Sequence, residues 1–425
     1  MAKQAFQTVR GMYDLLPERR RLFDYVMTTF AAAAVEAGYG QIETPVLEDE
    51  GLFLRSIGEG TDVLDKEIYA LTDRGNKRLA LRPEGTAGVA RAYIEHGMGS
   101  LPQPVRLFYM ESMWRYDRPQ EGRYRQHQQL GLEVLGDASP SSDAQIITLM
   151  QRVYRRLRLQ KMSLQINSIG DAECRPKYRK ALVEYLVEHT GQLAELDRER
   201  LAKNPLRVLD SKEAATQSVL ADVPQTLNFL CAACQAHFAG VLEYLDDLGI
   251  TYELNPLLVR GLDYYSRTVF EFYGQREGAQ ASLGGGGRYD GLLEQIGGVP
   301  TPAAGFGGGI ERIVLELEAA GVVPPYTEPR RAYVASLGEP ARLVAFRLIE
   351  QLLDVHVPAT GAVDKDGIGA QLARADKLGV PYAVIIGQKE VQDGTVLLRD
   401  MTSGAQETLK LGEVAAELRR RFDIS

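Results

Sequence analysis

The stretch from Leu257 to Glu271 sets Arg260, Gly261 and the pair Tyr264-Tyr265 just ahead of an alternating, strand-like run. Arginine stays charged at any working pH and presents a planar fork of donors suited to phosphate or carboxylate, while tyrosine hydroxyls both give and accept hydrogen bonds. Such a cluster suits an anionic, polar substrate. A surface arginine beside two half-buried tyrosines would be its purely structural counterpart. Three further motifs bear on the choice. Arg82-Pro83-Glu84-Gly85-Thr86 precedes the helical stretch Ala87 to Glu95, so Thr86 can cap that helix while Glu84 projects beside its N-terminus, where a carboxylate could bind an amine. Met110 to Arg125 reads as a strand, a Pro/Gly loop and a second strand, with arginines at 115, 118, 123 and 125. Arginines arranged in this way can clamp a phosphate and a nucleic-acid end together, because phosphate contacts position a chain without reading its sequence. Solvated hairpin charges are the alternative. Leu283 to Gly291 and Gly305 to Arg312 put glycines where a flat ligand or phosphate could approach the backbone, and neither fits the P-loop pattern.

The elements that must carry these motifs fall into three styles. A helix over 19–37 ends at Gly38 and Gly40, and the strand Gln41 to Thr44 runs into Pro45, which suits an edge strand or a strand end. From Leu79 to Gly136 short apolar strands, among them Val105 to Met110 and Gln129 to Leu135, alternate with turns as in an antiparallel sheet of hairpins. A helix over 141–160 carries Arg152, Arg155, Arg156 and Arg158, read as a solvated face or a phosphate-facing stripe. Ala172 to Gly249 is helical and charged before strands resume at Thr251, the pattern of an insertion into a discontinuous domain. After Pro324-Pro325 an alternating αβ series with a partly parallel sheet, a hairpin about Asp393-Gly394 and a terminal helix make a separate domain, with its linker near Glu328.

Composition narrows the class. The 425 residues are 45% hydrophobic and 25% charged, which fits a multidomain protein able to bury a sizeable core. No apolar run approaches the roughly 18 residues of a membrane span, and Met1 to Phe6 has no signal-peptide core, so a cytoplasmic protein is expected. Three cysteines make no disulfide framework. A net charge of −8 argues against nonspecific coating of nucleic acid but permits a local basic surface for one polyanion. Cys231, Cys234 and His237 could begin a zinc site, but only three ligands are local and all lie in a helical pattern, so no metal site is expected.

Taken together and in order, these residues resemble the class II aminoacyl-tRNA synthetases, specifically the histidyl-tRNA synthetase family. Motif 1 of that class corresponds to the helix ending at Gly38 plus the strand into Pro45, motif 2 to Met110 through Glu133, and motif 3 to Gly305 through Arg312. The stretches Leu258 to Tyr265 and Gly285 to Leu292 resemble the two that are peculiar to the family. Asn204 to Lys212 matches its helical insertion, and Ala375 to Gly379 with Ile386 to Glu390 resemble its anticodon-binding domain. The implied fold is α/β: an α+β catalytic domain over 1–171 and 250–325 with an antiparallel sheet flanked by helices, a helical insertion over 172–249 and a C-terminal α/β anticodon-binding domain over 329–425. The chain departs from the family at Gln126-His127-Gln128, where an aromatic followed by His or Asn is usual, and Gly369 to Ala373 lacks the lysines often seen there.

The resemblance implies that L-histidine and ATP give histidyl-adenylate and pyrophosphate, and that histidine then passes to the 3′ end of tRNA(His). Arg115 and Arg260 would be the catalytic α-phosphate ligands on opposite sides, and Arg115, Arg123 and Arg312 would bind ATP, with Mg²⁺ bridging the β- and γ-phosphates. Histidine would be held by Glu84, Gly85, Thr86, Arg115, Gln129, Glu133, Arg260, Tyr264 and Tyr265, with Glu133 and Tyr265 partnering the imidazole nitrogens. Arg118, Gln120 and Arg123 would meet the acceptor end of the tRNA. A homodimer is implied by motif 1. A synthetase-like regulatory subunit of histidine biosynthesis is the main alternative, and it need not keep Arg115, Arg260, Arg312 or the C-terminal domain.

Overall fold

The computed structural model describes residues 6–57, 67–276, 282–325, 330–361 and 367–424. They form two compact units, one ending at Pro325 and the other beginning at Tyr326, so the linker expected near Glu328 lies outside the described residues.

In the first unit, helix α1 (Pro17–Glu36) leads into the short strand β1 (Gly40–Gln41), and a small sheet follows from β2 (Leu47–Asp49), β3 (Tyr69–Thr72) and β4 (Arg78–Leu81), with α2 (Glu50–Ile57) between the first two. Next come α3 (Thr86–Glu95), β5 (Val105–Trp114), β6 (Gln126–Leu135), α4 (Pro140–Arg156) and β7 (Ser163–Ser168). The helical segment holds α5 (Arg175–Glu188), α6 (Glu195–Lys203), α7 (Ala214–Leu220) and α8 (Ala232–Asp247). The unit closes with β8 (Glu253–Leu254), β9 (Ser266–Tyr273), β10 (Ser282–Arg288), α9 (Leu292–Gln295), β11 (Ala303–Gly309) and α10 (Ile310–Ala319).

Eight strands make one sheet in the order β1-β5-β6-β11-β10-β9-β7-β8. Its central pairs are antiparallel and only the outermost ones, β1 with β5 and β7 with β8, are parallel. The alternation that marks strands in the sequence decides the packing. Phe108, Leu130, Leu132, Val134, Phe270, Phe272 and Phe306 join the core under α1, α4, α8 and α10, while Tyr109, Met113, Leu135 and Val269 meet Tyr264, Tyr265 and Tyr289 in a second cluster. The expected strand at Gln41 to Thr44 is shorter than read, because past Gln41 the backbone N–H of Thr44 leaves the ladder to donate to Glu111 Oε1 at 2.6 Å. It does lie at the sheet edge.

The helical segment has its own small core of Tyr178, Leu182, Leu186, Val208 and Leu209. Its last helix differs, since Phe238, Val241 and Leu245 of α8 belong to the main core. Arg156 pairs with Glu36 across 2.6 Å, so one member of the arginine row on α4 is tied to α1.

The second unit has a five-stranded sheet, β13-β12-β14-β15-β16, formed by β12 (Ala332–Ser336), β13 (Ala359–Gly361), β14 (Tyr382–Ile386), β15 (Thr395–Asp400) and β16 (Gln406–Lys410). The first three strands are parallel and the rest antiparallel. Helices α11 (Glu339–Asp354), α12 (Ile368–Lys377), α13 (Gln388–Asp393) and α14 (Val414–Phe422) complete it. Asp393-Gly394 is not a hairpin turn: Gly394, at φ 67°, ends α13 in the left-handed conformation that glycine adopts without strain. The hairpin turns after Asp400, whose carboxylate accepts from the N–H groups of Thr402 and Ser403 at 2.9 and 2.8 Å.

Candidate active site

A cleft of about 370 Å³ opens on the face of the large sheet where β5, β6, β10 and β11 meet the segment before β9. Glu84, Thr86, Arg115, Arg123, Gln129, Arg260, Tyr264, Tyr265 and Arg312 all line it, brought together from positions up to 228 residues apart.

One end is acidic. The Glu84 carboxylate accepts from the N–H groups of Thr86 and Ala87 at 2.7 and 2.8 Å, so Glu84 caps α3. This corrects the assignment of the cap to Thr86, whose hydroxyl instead donates to Glu133 Oε1 at 2.7 Å. The exchange is physically sensible, since a carboxylate at a helix N-terminus satisfies two orphan donors and meets the positive end of the dipole. Glu133 is wholly buried below the cleft lining and also accepts from Tyr289 through Oε2 and, at 3.5 Å, from Tyr109 through Oε1. Burial pushes its pKa up to about 8, against the pull of the Tyr289 and Thr86 hydroxyls. Burial likewise raises Glu84. Tyr264 donates to Glu84 at 3.5 Å and its ring lies 4.7 Å from that of Tyr265. Gln129 donates to the Tyr109 hydroxyl at 3.1 Å.

Three glycines exist to fit this end together. A Cβ on Gly85 or Gly131 would collide with the Tyr109 ring, and one on Gly305 would fall on the Glu133 carboxylate and lie 2.8 Å from the Leu132 carbonyl. Gly85 and Gly305 therefore make room for the site's own side chains.

The other end is cationic. Arg115 is aimed by its Nε donating to the Pro83 carbonyl at 2.8 Å. Arg260 pairs with Glu271 across 3.0 Å and sits 5.9 Å from the Tyr265 ring centre. Burial is the largest influence and opposes the Arg260 charge, but Glu271 together with Tyr265 and Tyr273 outweighs it and raises the pKa. Arg312 donates to the carbonyls of Gly122 and Ser282, both at 3.0 Å. Its pKa is lowered by burial and by its neighbours Arg123, Arg115 and Arg260. His127, from the departure at 126–128, faces this cleft, and burial together with Arg115 and Arg312 holds its pKa down at about 3, so the ring is neutral. Arg260 and Arg123 have carboxylate partners, whereas Arg115 and Arg312 donate to carbonyls and keep their charge for a polyanion.

The loop after β5 carries the remaining candidates. Arg123 pairs with Asp117 and lies 3.6 Å from Glu67. Gln120 and Arg123 exchange backbone hydrogen bonds of 3.1 and 2.9 Å that close the turn. Arg118 and Gln120 are exposed and outside the cleft lining, whereas Arg123 reaches it. Tyr109, Tyr289 and Glu271 were not singled out by sequence. Only the last two had a signal, lying within or beside the two distinctive segments. Arg288 carries no free charge, being wholly buried against Asp143 at 2.7 Å and Asp290 at 2.9 Å. His237 points to the same Asp143, 2.9 Å away, and away from the cysteines with which it had been grouped.

A sheet of this order, floored with acid and walled with arginines, with a separate αβ unit after it, is the architecture of a class II aminoacyl-tRNA synthetase. The sequence matches the family described as histidyl-tRNA synthetase over residues 11–313 and the anticodon binding domain over residues 331–421. It is 45% identical to the histidine–tRNA ligase of Dehalococcoides mccartyi, over 98% of this chain and all of that one, and 45% identical to that of Pelotomaculum thermopropionicum, over 97% of each. Apo histidyl-tRNA synthetase from S. aureus superposes with a TM-score of 0.81 at 33% identity, over 98% of this chain and all of that one. A Bacillus halodurans protein described as an ATP phosphoribosyltransferase regulatory subunit/histidyl-tRNA synthetase gives 0.64 at 25%, over 90% and 98%. The chain belongs to the histidyl-tRNA synthetase family, and so to the enzymes that ligate an amino acid to tRNA. Among the described residues no helix is long and apolar enough to cross a membrane.

Proposed function

We propose that this cleft joins L-histidine to ATP, releasing pyrophosphate from histidyl-adenylate, and then transfers histidine to the 3′ end of tRNA(His). The observation that carries the proposal is the joining, in one cleft, of an acidic end, lined by Glu84 with Glu133 buried behind Thr86, to a wall of arginines. As the histidine carboxylate attacks the α-phosphorus, charge grows on the phosphoryl oxygens, and Arg115 and Arg260 are already aimed and need not reorganise. Arg312 and Arg123 take the outer phosphates, and the Arg312 guanidinium plane offers a surface for adenine. The Glu84 carboxylate and the Thr86 hydroxyl oxygen, on either side of Gly85, accept from the α-amino group, and Gln129 orients the amino acid. The imidazole, one nitrogen a donor and the other an acceptor, meets Glu133 and Tyr265, with Tyr264 lining the pocket. Other amino acids leave these buried groups unpaired, which supports discrimination on the order of 10⁴.

Magnesium fits the arginine end. Asp117 and Glu271 are each ion-paired there, and Glu311 keeps Oε2 buried without a hydrogen-bond partner, so a hard cation would find few protein oxygens and be held mainly by phosphates. When bound it would neutralise charge on the β- and γ-phosphates. Arg118, Gln120 and Arg123, on the loop beside the cleft, take the acceptor end of the tRNA.

The finer organisation belongs to the same proposal. The separate core around Tyr178 supports a helical insertion over 172–249 between catalytic segments 1–171 and 250–325, with α8 tying its end back to the main core. Strand β1 at the sheet edge suits a homodimer, and three cysteines without a disulfide suit the cytoplasm. Charging of tRNA(His) with labelled histidine tests the function: a regulatory subunit would bind histidine and charge nothing, and that result would overturn the proposal.

A further inference from the structure

The turn after β7 brings two distant parts of the chain to one point. Gly170, at φ +68°, lets the chain fold back so closely that a Cβ there would lie 2.8 Å from that of Cys174. Arg267, itself at a left-handed φ of 53°, locks the turn, with its N–H donating to the Gly170 carbonyl at 2.7 Å and its carbonyl accepting from Ile169 at 2.8 Å. From this turn Asp171 and Cys174 face Cys231 and Cys234, at the start of α8. One ligand atom from each of the four lies within 4.8 Å of the other three. Among the described residues no other such group of three or more is gathered so tightly.

The spacing is that of one ion. Cys174 Sγ is 3.3 Å from Asp171 Oδ1, and Cys231 Sγ is 4.0 Å from Asp171 Oδ2. Zinc–sulfur bonds of about 2.3 Å in a tetrahedron set ligand atoms about 3.7 Å apart. The surroundings are those of ligands held from outside. The backbone N–H of Cys231 donates to Cys174 Sγ at 3.1 Å, the N–H groups of Glu173 and Cys174 donate to Asp171 Oδ1 at 3.0 and 3.3 Å, and Arg267 lies 3.7 Å from Asp171 Oδ2. Cys174 and Cys234 are fully buried, while Cys231 and Asp171 are partly open, which leaves an entry path.

We propose that Cys174, Cys231, Cys234 and Asp171 form a structural zinc site that clasps the two ends of the helical segment. Cysteines 57 residues apart are tied together, so the ion fixes where the segment leaves the sheet and where it returns. On binding, three thiols release their protons to solvent and three thiolates with one carboxylate surround the dication, leaving two negative charges beside Arg267. The missing ligands to the Cys231/Cys234 pair thus lie far away in sequence, and His237 is not among them. The site stands apart from the cleft chemistry and does not depend on it.

The test uses the full chain, made without a polyhistidine tag in medium containing zinc. Elemental analysis should find roughly one zinc per chain. Cobalt exchanged into the folded protein should give a thiolate-to-cobalt charge-transfer band with tetrahedral d–d bands, and the three cysteines should resist a thiol reagent until a chelator is added. Cys174→Ser and Cys234→Ser should lose the zinc. Because these variants can also weaken folding, Asp171→Cys is the companion: a four-thiolate set should keep the zinc and strengthen the charge-transfer band, which a merely structural aspartate would not do. Folded wild-type protein that takes up neither zinc nor cobalt, a disulfide among the three cysteines, or zinc retained in both serine variants would overturn the site.

Discussion

Glu133→Gln isolates the group on which selectivity for histidine rests. Glutamine keeps the shape and can still meet Thr86 and Tyr289, but it cannot ionise, so above about pH 8, where Glu133 is a carboxylate, it cannot accept a charge-assisted hydrogen bond from an imidazole N–H. Bonds of that kind contribute about 1.5–3 kcal/mol, which corresponds to a loss of roughly 10- to 150-fold in kcat/KM for histidine, with ATP binding unchanged. A second, independent effect follows from the burial that raises Glu133 from 4.5 to about 8. Between these values the folded protein holds a proton that the unfolded chain has released, so stability falls as pH rises through the window, by at most about 5 kcal/mol from this group. Glutamine does not titrate. The variant should therefore gain stability relative to the wild type between about pH 5 and pH 9. Steady-state pyrophosphate exchange at varied histidine, and thermal melts across that range, read the two effects separately. Unchanged kcat/KM for histidine, or melting profiles that run parallel with pH, would refute the role and the environment given to Glu133.

Other positions give sharper structural or chemical tests. Gly305→Ala drives a methyl into the Glu133 carboxylate, and should cost about 1–3 kcal/mol in urea unfolding; an unchanged midpoint would mean that the close approach is not real. His127, held at about 3 by burial, Arg115 and Arg312, should show no imidazole titration by NMR between about pH 5 and 8, where an ordinary histidine passes its midpoint near 6.5. Arg118→Ala, on the exposed loop, should leave pyrophosphate exchange within about twofold and weaken tRNA charging by about tenfold, with a smaller salt dependence, as removal of one phosphate contact requires. A loss of exchange in that variant would place Arg118 in the cleft chemistry.

The cleft was legible in the sequence where chemistry is written into short runs. Arg115, Arg260, Tyr264, Tyr265 and Arg312 stand in such runs, and all five reach one space. Local pattern misled where two neighbours could fill one role: both Glu84 and Thr86 can cap α3, and the decision fell to Glu133, 47 residues on, which takes the Thr86 hydroxyl. Tyr109 was hidden for the same reason, and the run holding Tyr289 did not reveal its role, since both hydroxyls meet a buried carboxylate far along the chain. Asp393-Gly394 fits both a hairpin turn and a helix end, and α13 settled it. The glycines of β11 suggested ligand approach, yet Gly305 makes space for Glu133. The cysteine cluster lay beyond local spacing altogether, because the turn at Gly170 supplies half of it.

The most direct measurement is exchange of labelled pyrophosphate into ATP with each of the twenty amino acids, for the wild type and for Arg260→Ala. Exchange supported by histidine alone, and lost in the variant while histidine still binds, is the expected result. Exchange with another amino acid, none with histidine, or full exchange without the Arg260 guanidinium would contradict histidine activation in this cleft.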